Sequence, residues 1–138
     1  MNINYLITGA NRGIGLALAE ELISNDEKVI SLCRGSSDSG KLISLQSKNP
    51  GKVELYEADV TVENDLIITS QKIEKLDVLV CNAGIMGARG GMMDENNKYS
   101  IISDVLMTNV AGPFFTIRAF LNQITVSYTH LTLPTTTI

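Results

Sequence analysis

The sequence predicts an α/β fold in which a doubly wound parallel sheet carries helices on both faces. Three observations support this prediction. Short apolar runs alternate with segments of helical periodicity, a glycine-rich turn follows the first run, and 138 residues suffice for one domain. Crossovers between parallel strands are right-handed, and we expect four strands in the order 3-2-1-4.

The first two strand-helix units lie in the N-terminal third of the chain. Residues 4–8 form an apolar run that ends at Gly9 and predicts the first strand. The first helix follows from helical spacing of apolar residues at Ile14, Ala17, Leu18 and Leu22. Residues 29–33 predict the second strand, and Ser36 and Ser37 can cap a second helix that runs through Gln46 and stops at Pro50-Gly51.

The same alternation continues. Residues 53–58 predict a third strand, and Thr61 can cap a third helix whose first turn holds Glu63 and Asp65. Val62, Leu66, Ile73 and Leu76 would share one face of this helix. Residues 77–81 predict a fourth strand, residues 85–97 a mobile loop, and residues 102–121 a longer helix.

Composition excludes several classes of function. Hydrophobic residues make up 44% of the chain, and the formal net charge is −4 with no basic run, which argues against nucleic acid as a partner. We find no signal-peptide pattern and no apolar stretch of membrane-spanning length, so we expect a cytoplasmic protein without a membrane segment. Cys33 and Cys81 should be reduced, and no residue spacing indicates a metal site.

Three glycines after the first strand indicate an anion site. Gly9 would open the turn, Gly13 would let the backbone approach a ligand, and Gly15 would let the helix pack against the sheet. Free N–H groups at a helix N-terminus attract a pyrophosphate. The alternative is an ordinary strand-helix turn without a ligand.

Four landmarks in register carry a family resemblance: TGANRGIG at residues 8–15, Asp59-Val60, NAG at residues 82–84, and Asn109. Together they resemble the short-chain dehydrogenase/reductase family. The resemblance implies a Rossmann-like fold, here incomplete, in which Asp59 and Val60 contact adenine. It also implies that Asn82, Ala83 and Gly84 stabilise the sheet and line the nucleotide site. Read alone, these could be turn residues only.

Asn109 matches the asparagine of that family's Asn-Ser-Tyr-Lys tetrad, whose backbone carbonyl holds a relay water. The sequence adds a physical argument, because residue 113 would donate to this carbonyl in a regular helix and is Pro113, which has no N–H. Gly112 beside it favours a kink. A kinked helix whose phenylalanines simply pack is the alternative.

Cofactor choice depends on the end of the second strand, where a carboxylate would bind a ribose 2′-hydroxyl. This chain has Leu32-Cys33-Arg34-Gly35 there instead. Arg34 and Arg12 could pair with a 2′-phosphate, so we favour NADP(H) over NAD(H), with Arg12, Gly13, Ile14 and Gly15 on the phosphate side. Alternatively, both arginines are solvated surface cations.

The resemblance implies hydride transfer between nicotinamide and a carbonyl or secondary alcohol, most like small carbonyl reductases, in a homo-oligomer. The family's Tyr-x-x-x-Lys pair is missing, because Gly9, Val60, Ser103 and Thr132 stand four residues after the four tyrosines. We therefore expect an inactive cofactor-binding fragment. Two alternatives stay open. One is a non-catalytic dinucleotide sensor, and the other is a fragment without function whose fourth strand is an unpaired sheet edge.

The last fourteen residues differ in composition from residues 1–124. They hold six threonines and no Asp, Glu, Lys or Arg. Residues 126–135 can be back-translated into DNA that resembles a transposase adaptor used for sequencing libraries. We therefore expect residues 125–138 to be a non-native tail in which Ser127, Tyr128 and His130 have no evolved role. A natural edge strand is the alternative, since Val, Tyr and Thr favour strands.

Overall fold

A five-stranded parallel sheet lies at the centre of the structure, a computed structural model that describes residues 2–35, 37–125 and 130–132. Its order is β3-β2-β1-β4-β5. The strands are β1 (Asn4–Thr8), β2 (Lys28–Cys33), β3 (Val53–Glu57), β4 (Val78–Val80) and β5 (His130–Thr132). The α/β class and the order 3-2-1-4 are thereby confirmed.

The short strand β5 is the difference from the predicted sheet. It pairs in parallel with β4, where Val78 is opposite His130 and Val80 is opposite Thr132. One open alternative, a fragment without function, assumed that the fourth strand is an unpaired sheet edge, and that assumption is wrong for this structure. Ser127 and Tyr128 lie outside the described residues, and the non-native origin of residues 125–138 stays a prediction.

Helices cover both faces of the sheet. They are α1 (Gly13–Ser24), α2 (Gly40–Lys48), α3 (Glu63–Ser70), α4 (Tyr99–Leu106) and α5 (Gly112–Thr125). Successive residues of β1 point to opposite faces, so Leu6 belongs to a core with α3 and α5, and Ile7 belongs to a core with α1 and α2. Phe120 of α5 and Leu42 of α2 are fully buried in these two cores.

Two helix starts differ from the predicted caps. Helix α2 begins at Gly40, whose N–H donates to Asp38 Oδ1 over 2.9 Å. Ser37 therefore does not cap it, and Ser36 lies outside the described residues. Thr61 does not cap α3 either, because its N–H and hydroxyl both donate to Asp59 Oδ1. In both cases an aspartate forms the local turn, and this competes with serine or threonine capping.

Helix α3 is also shorter than its apolar pattern implies, since it ends at Ser70. Ile73 and Leu76 follow it in an irregular segment but are still buried in the core. Gln123 of α5 holds this segment through two hydrogen bonds. Its side-chain Nε2 donates to the Ser70 carbonyl over 2.7 Å, and its backbone carbonyl accepts from the Leu76 N–H. Tertiary contacts therefore replace the predicted last helical turns.

A π-helical turn, Met107–Ala111, joins α4 to α5 where the sequence predicts a kink. The N–H of Gly112 donates to the Met107 carbonyl five residues earlier. Pro113 has no N–H, so the Asn109 carbonyl lacks its α-helical donor, as the sequence predicts. The Thr108 carbonyl loses its donor too, because Gly112 bonds elsewhere. Widening the helix by one residue accommodates the proline.

The combined helix Tyr99–Ile124 corrects one expectation from the sequence. Its 26 residues are long and apolar enough to cross a membrane by length and composition. Interspersed Ser, Thr and Asn residues hide this property from a search for uninterrupted apolar runs. A single helix of this kind is weak evidence for a membrane span, because the criterion concerns length and composition only.

Gly112 marks a close approach between α5 and the segment after β3. A Cβ at this position would lie 2.9 Å from Val60 Cγ2. We predict that Gly112→Ala destabilises the chain by about 1–2 kcal/mol through overpacking, although alanine has the higher helix propensity. In a Val60→Ala background the same exchange should be neutral or stabilising. Urea unfolding of the four variants tests this, and an equal loss in both backgrounds contradicts the contact.

Candidate functional site

A cavity of about 410 Å³ opens at the carboxyl ends of β1, β2, β3 and β4. Parallel strands end at the same edge, so the segments that follow them converge there. The lining includes ten of the residues singled out from the sequence: Gly9, Arg12, Gly13, Ile14, Arg34, Asp59, Val60, Asn82, Ala83 and Gly84. The other two, Gly15 and Asn109, lie just behind and beside it.

Two positions near the glycine turn after β1 have no room for a side chain. Gly9 has φ +71°, and a Cβ there would lie 3.1 Å from Ala83 Cα. A Cβ on Gly15 would lie 2.5 Å from both the Gly9 carbonyl oxygen and Asn82 Nδ2. The first turn of α1 therefore packs directly against the ends of β1 and β4 and faces the cavity.

The N-terminus of α1 offers free donors to that cavity. Among the described residues, no side chain caps it, and its first turn holds no acidic residue. Gly13, at the start of the helix, has φ +56° and open space where a Cβ would be. Uncapped N–H groups and the positive end of the helix dipole attract an anion.

The segment after β4 is tied to the end of β1 by four hydrogen bonds. The Thr8 hydroxyl accepts from the N–H groups of Asn82 and Ala83, each over 3.0 Å. The Asn82 amide in turn donates to the carbonyls of Thr8 and Gly9, each over 3.2 Å. Asn82 thus stabilises the sheet edge, and Ala83 and Gly84 line the cavity. The sequence analysis placed Thr8 in the first strand and in the motif of residues 8–15 but did not find this role of its hydroxyl.

Asp59 and Val60 contribute to the wall after β3. Asp59 Oδ1 accepts from Thr61, and the Asp59 N–H donates to Asp65 Oδ2 over 3.0 Å. Val60 is 7% exposed and packs against Gly112 while it lines the cavity. The turn role and the lining role therefore coexist at both residues.

Two cations flank a recess beside the main cavity. Arg12 in the glycine turn and Arg34 after β2 are both exposed, and they line a recess that continues from the cavity. Asn11, Ser37, Asp38 and Lys41 complete this recess. The sequence analysis gave Asn11 and Lys41 no role in the site and considered Ser37 only as a helix cap, since polar loop residues carry no periodic signal.

Asn109 in the π-helical turn holds the chain that leaves β4. Its Oδ1 accepts from the Ile85 N–H over 2.9 Å, and its Nδ2 donates to the Ile85 carbonyl over 2.8 Å. The side chain therefore acts as a clamp on Ile85, which lines the cavity together with Thr108. Pro113 removes the α-helical donor of the Asn109 backbone carbonyl.

The loop at residues 85–97 is held by hydrogen bonds between its own residues, which its glycine content does not indicate. Asn97 accepts from the Ala88 N–H over 2.7 Å and donates to the Ala88 carbonyl. N–H groups of Asn96 and Gly90 donate to the Asp94 carboxylate and lower its pKa. The sequence predicts a mobile loop here, and the structure shows a segment with defined turns, including a 3-10 turn at Gly91–Met93.

Neither cysteine adds chemistry of its own to the site. Both are buried and free of disulfide bonds. Burial raises the pKa of Cys81 to about 12, so its thiol stays protonated near neutral pH. Across the part of the chain that the structure describes, no three His, Cys, Asp or Glu side chains form a group that could hold a metal ion.

Comparisons with known proteins agree with this geometry. A family model described as short chain dehydrogenase matches residues 4–128. Rat estradiol 17-beta-dehydrogenase 1 is 35% identical over 124 residues, which cover 84% of this chain and 35% of the rat protein.

Two solved structures have the same fold. One, titled ElxO with NADP bound, has a TM-score of 0.79 and 30% identity and covers 96% of this chain and 55% of that one. NAD+-bound xylitol dehydrogenase has a TM-score of 0.80 and 26% identity, over 95% of this chain and 52% of that one.

The chain spans between about a third and a half of the length of the curated relatives it matches. Within that span, the glycine turn, the Asp-Val pair, the Asn-Ala-Gly segment and Asn109 occupy the places around the cavity described above. With the family model matching nine-tenths of the sequence, the chain belongs to the short-chain dehydrogenase family.

Proposed function

We propose that this chain is the cofactor-binding part of an NADP(H)-dependent oxidoreductase that interconverts a carbonyl and a secondary alcohol. The observation that carries the proposal is the cavity at the carboxyl ends of the parallel strands, with an uncapped helix N-terminus on one side and Arg12 and Arg34 on another. This combination suits a dinucleotide whose adenosine carries a further phosphate.

The residues present fit such a cofactor. Gly13 leaves open space where a side chain would block a pyrophosphate, and the first N–H groups of α1 supply donors. Val60 gives the apolar wall and Asp59 the polar wall of the adenine end. Ala83 and Gly84, fixed through Thr8, leave the cavity floor free of large side chains. When bound, the nicotinamide supplies or accepts the hydride.

The preference for NADP(H) rests on charge. Arg12 and Arg34 face one recess, and the described residues that directly follow β2, Arg34 and Gly35, include no carboxylate for a free 2′-hydroxyl. Asp38 also lines the recess, and its Oδ1 accepts from the Gly40 N–H. A guanidinium makes charge-assisted, two-pronged hydrogen bonds to phosphate. NAD(H) lacks the phosphate and would gain little from either arginine.

We predict that Arg34→Ala weakens binding of NADP+ by about tenfold but changes binding of NAD+ by less than about twofold, because only NADP+ has a charged partner there. Isothermal titration with both cofactors measures this. Arg118→Ala, which removes an exposed arginine of α5 outside the site, is the matched control. Equal losses for the two cofactors would overturn the assignment.

Asn109 has two tasks in the proposal. Its side chain holds Ile85 at the edge of the cavity. Its backbone carbonyl would accept a hydrogen bond from a water molecule in the proton path. That path needs a tyrosine acid and a neighbouring lysine, and this sequence contains no Tyr-x-x-x-Lys. The chain as given would therefore bind cofactor without turning over a carbonyl substrate.

The source DNA gives a direct test of this division. We predict that an adaptor-free amplification across codons 120–140 continues in frame into a strand ending in serine and then Tyr-x-x-x-Lys. The longer product should oxidise NADPH with small carbonyl compounds, while the 138-residue chain should not. If residues 125–138 and a stop codon are genuine, the enzyme proposal fails for this chain, and a non-catalytic dinucleotide-binding module replaces it.

A homo-oligomer is part of the proposal for the longer protein. Ile102, Leu106, Val110 and Phe114 follow one another at four-residue spacing and are 42%, 55%, 62% and 60% exposed. Such an apolar row favours a protein partner over water.

A cytoplasmic location remains a prediction from the sequence.

We expect Val110→Glu to convert the longer protein to a smaller species in light-scattering chromatography, because it puts a charge into the apolar row. Glu63→Gln, an exposed exchange on α3, serves as the control. An unchanged mass for Val110→Glu would argue that this row is not the subunit contact.

A further inference from the structure

Asn11 joins the two segments that carry the arginines of the recess. Its Nδ2 donates to the backbone carbonyl of Asp38 over 2.9 Å, across 27 positions of sequence. The residue is only 7% exposed. Asn11 directly precedes Arg12, and Asp38 follows Arg34 by four positions, so this bond connects the glycine turn with the segment between β2 and α2.

Asp38 is itself fixed at this point. Its carboxylate Oδ1 accepts from the Gly40 N–H over 2.9 Å at the start of α2. The backbone before it is turned by a hydrogen bond from the Ser37 N–H to the Arg34 carbonyl over 3.0 Å. The Asp38 carbonyl is therefore a firm anchor for Asn11, and the position of Arg34 depends on the same turn.

The charges around the recess oppose the approach of the two segments that Asn11 links. Arg12, Arg34 and Lys41 contribute three cations, and Asp38 contributes one anion. Like charges that converge repel one another in the free protein. A neutral amide can hold the two segments together without cancelling the positive charge that attracts an anion.

We propose that Asn11 is a positioning residue that holds the segment after β2 against the glycine turn, so that Arg12 and Arg34 face the same phosphate and discriminate for 2′-phosphorylated adenine nucleotides. The inference rests on the proposed function, since it deepens the NADP(H) preference. Asn11 itself need not touch the nucleotide.

The test compares two small probes, adenosine 2′,5′-bisphosphate and 5′-AMP, whose ratio of dissociation constants isolates the 2′-phosphate. Asn11→Ala should reduce this ratio about fivefold, as expected for loss of one hydrogen bond that orders a charged pair. Binding of 5′-AMP should change little. Asn49→Ala removes a similar side-chain-to-carbonyl bond, to Leu45 at the far end of α2, and should leave the ratio unchanged.

A double-mutant cycle separates positioning from general loosening. In an Arg34→Ala background, Asn11→Ala should have almost no further effect on the ratio, because the positioned group is gone. An equal further reduction there would overturn the inference, as would an unchanged ratio for Asn11→Ala alone. If Asn11→Ala does not fold, Asn11→Ser, whose side chain is too short to bridge, takes its place.

The two proposals fail differently. If the unaltered chain binds both probes equally, the NADP(H) preference is wrong and the inference falls with it. If the unaltered chain prefers the bisphosphate but Asn11→Ala keeps that preference, the cofactor proposal stands and only the role of Asn11 is overturned.

Discussion

The first turn of α1 lies directly against the ends of β1 and β4, and the site depends on this close approach. At Gly15, a side chain would meet the Gly9 carbonyl and the Asn82 amide at 2.5 Å. Because nothing separates the helix from the sheet, its free N–H groups open onto the cavity floor. A bulkier residue would move the helix away and disturb the hydrogen bonds between Thr8 and Asn82.

The same approach explains why the cavity is lined by backbone and small side chains. The Asn82 amide donates to the carbonyls of Thr8 and Gly9, and a Cβ on Gly9 would lie 3.1 Å from Ala83 Cα. Polar side chains at this edge are thus mostly occupied in fixing segments to one another, as Asn109 fixes Ile85 and Asn11 fixes Asp38. Arg12 and Arg34 are exposed and carry the charge.

Apolar periodicity predicted the strands because burial on both faces demands continuous apolar runs, as at Leu6 and Ile7. Their order was an expectation for the doubly wound fold class and did not follow from periodicity. It could not predict that Asp38 and Asp59 would form the turns before α2 and α3, since Ser, Thr and Asp compete locally for the same donors. Ile73 and Leu76 have the apolar spacing of a helix, but α3 ends before them and Leu76 bonds to α5 instead. The site residues were predictable where glycine or proline restricts the backbone, and less so where only a hydrogen bond between distant loops defines them, as at Asn11.

Pro113 shows how one residue without an N–H shapes both the fold and the candidate chemistry. A regular helix would leave the Asn109 carbonyl without a donor. The structure has a π-helical turn at this point, in which the Gly112 N–H donates to the Met107 carbonyl. The wider turn brings the Asn109 side chain to Ile85 and leaves Thr108 at the cavity. Gly112 meanwhile lets the helix approach Val60 on the adenine side. The helix therefore contacts both ends of the cavity through neighbouring residues, so that a change in its packing at Val60 would be felt at Ile85.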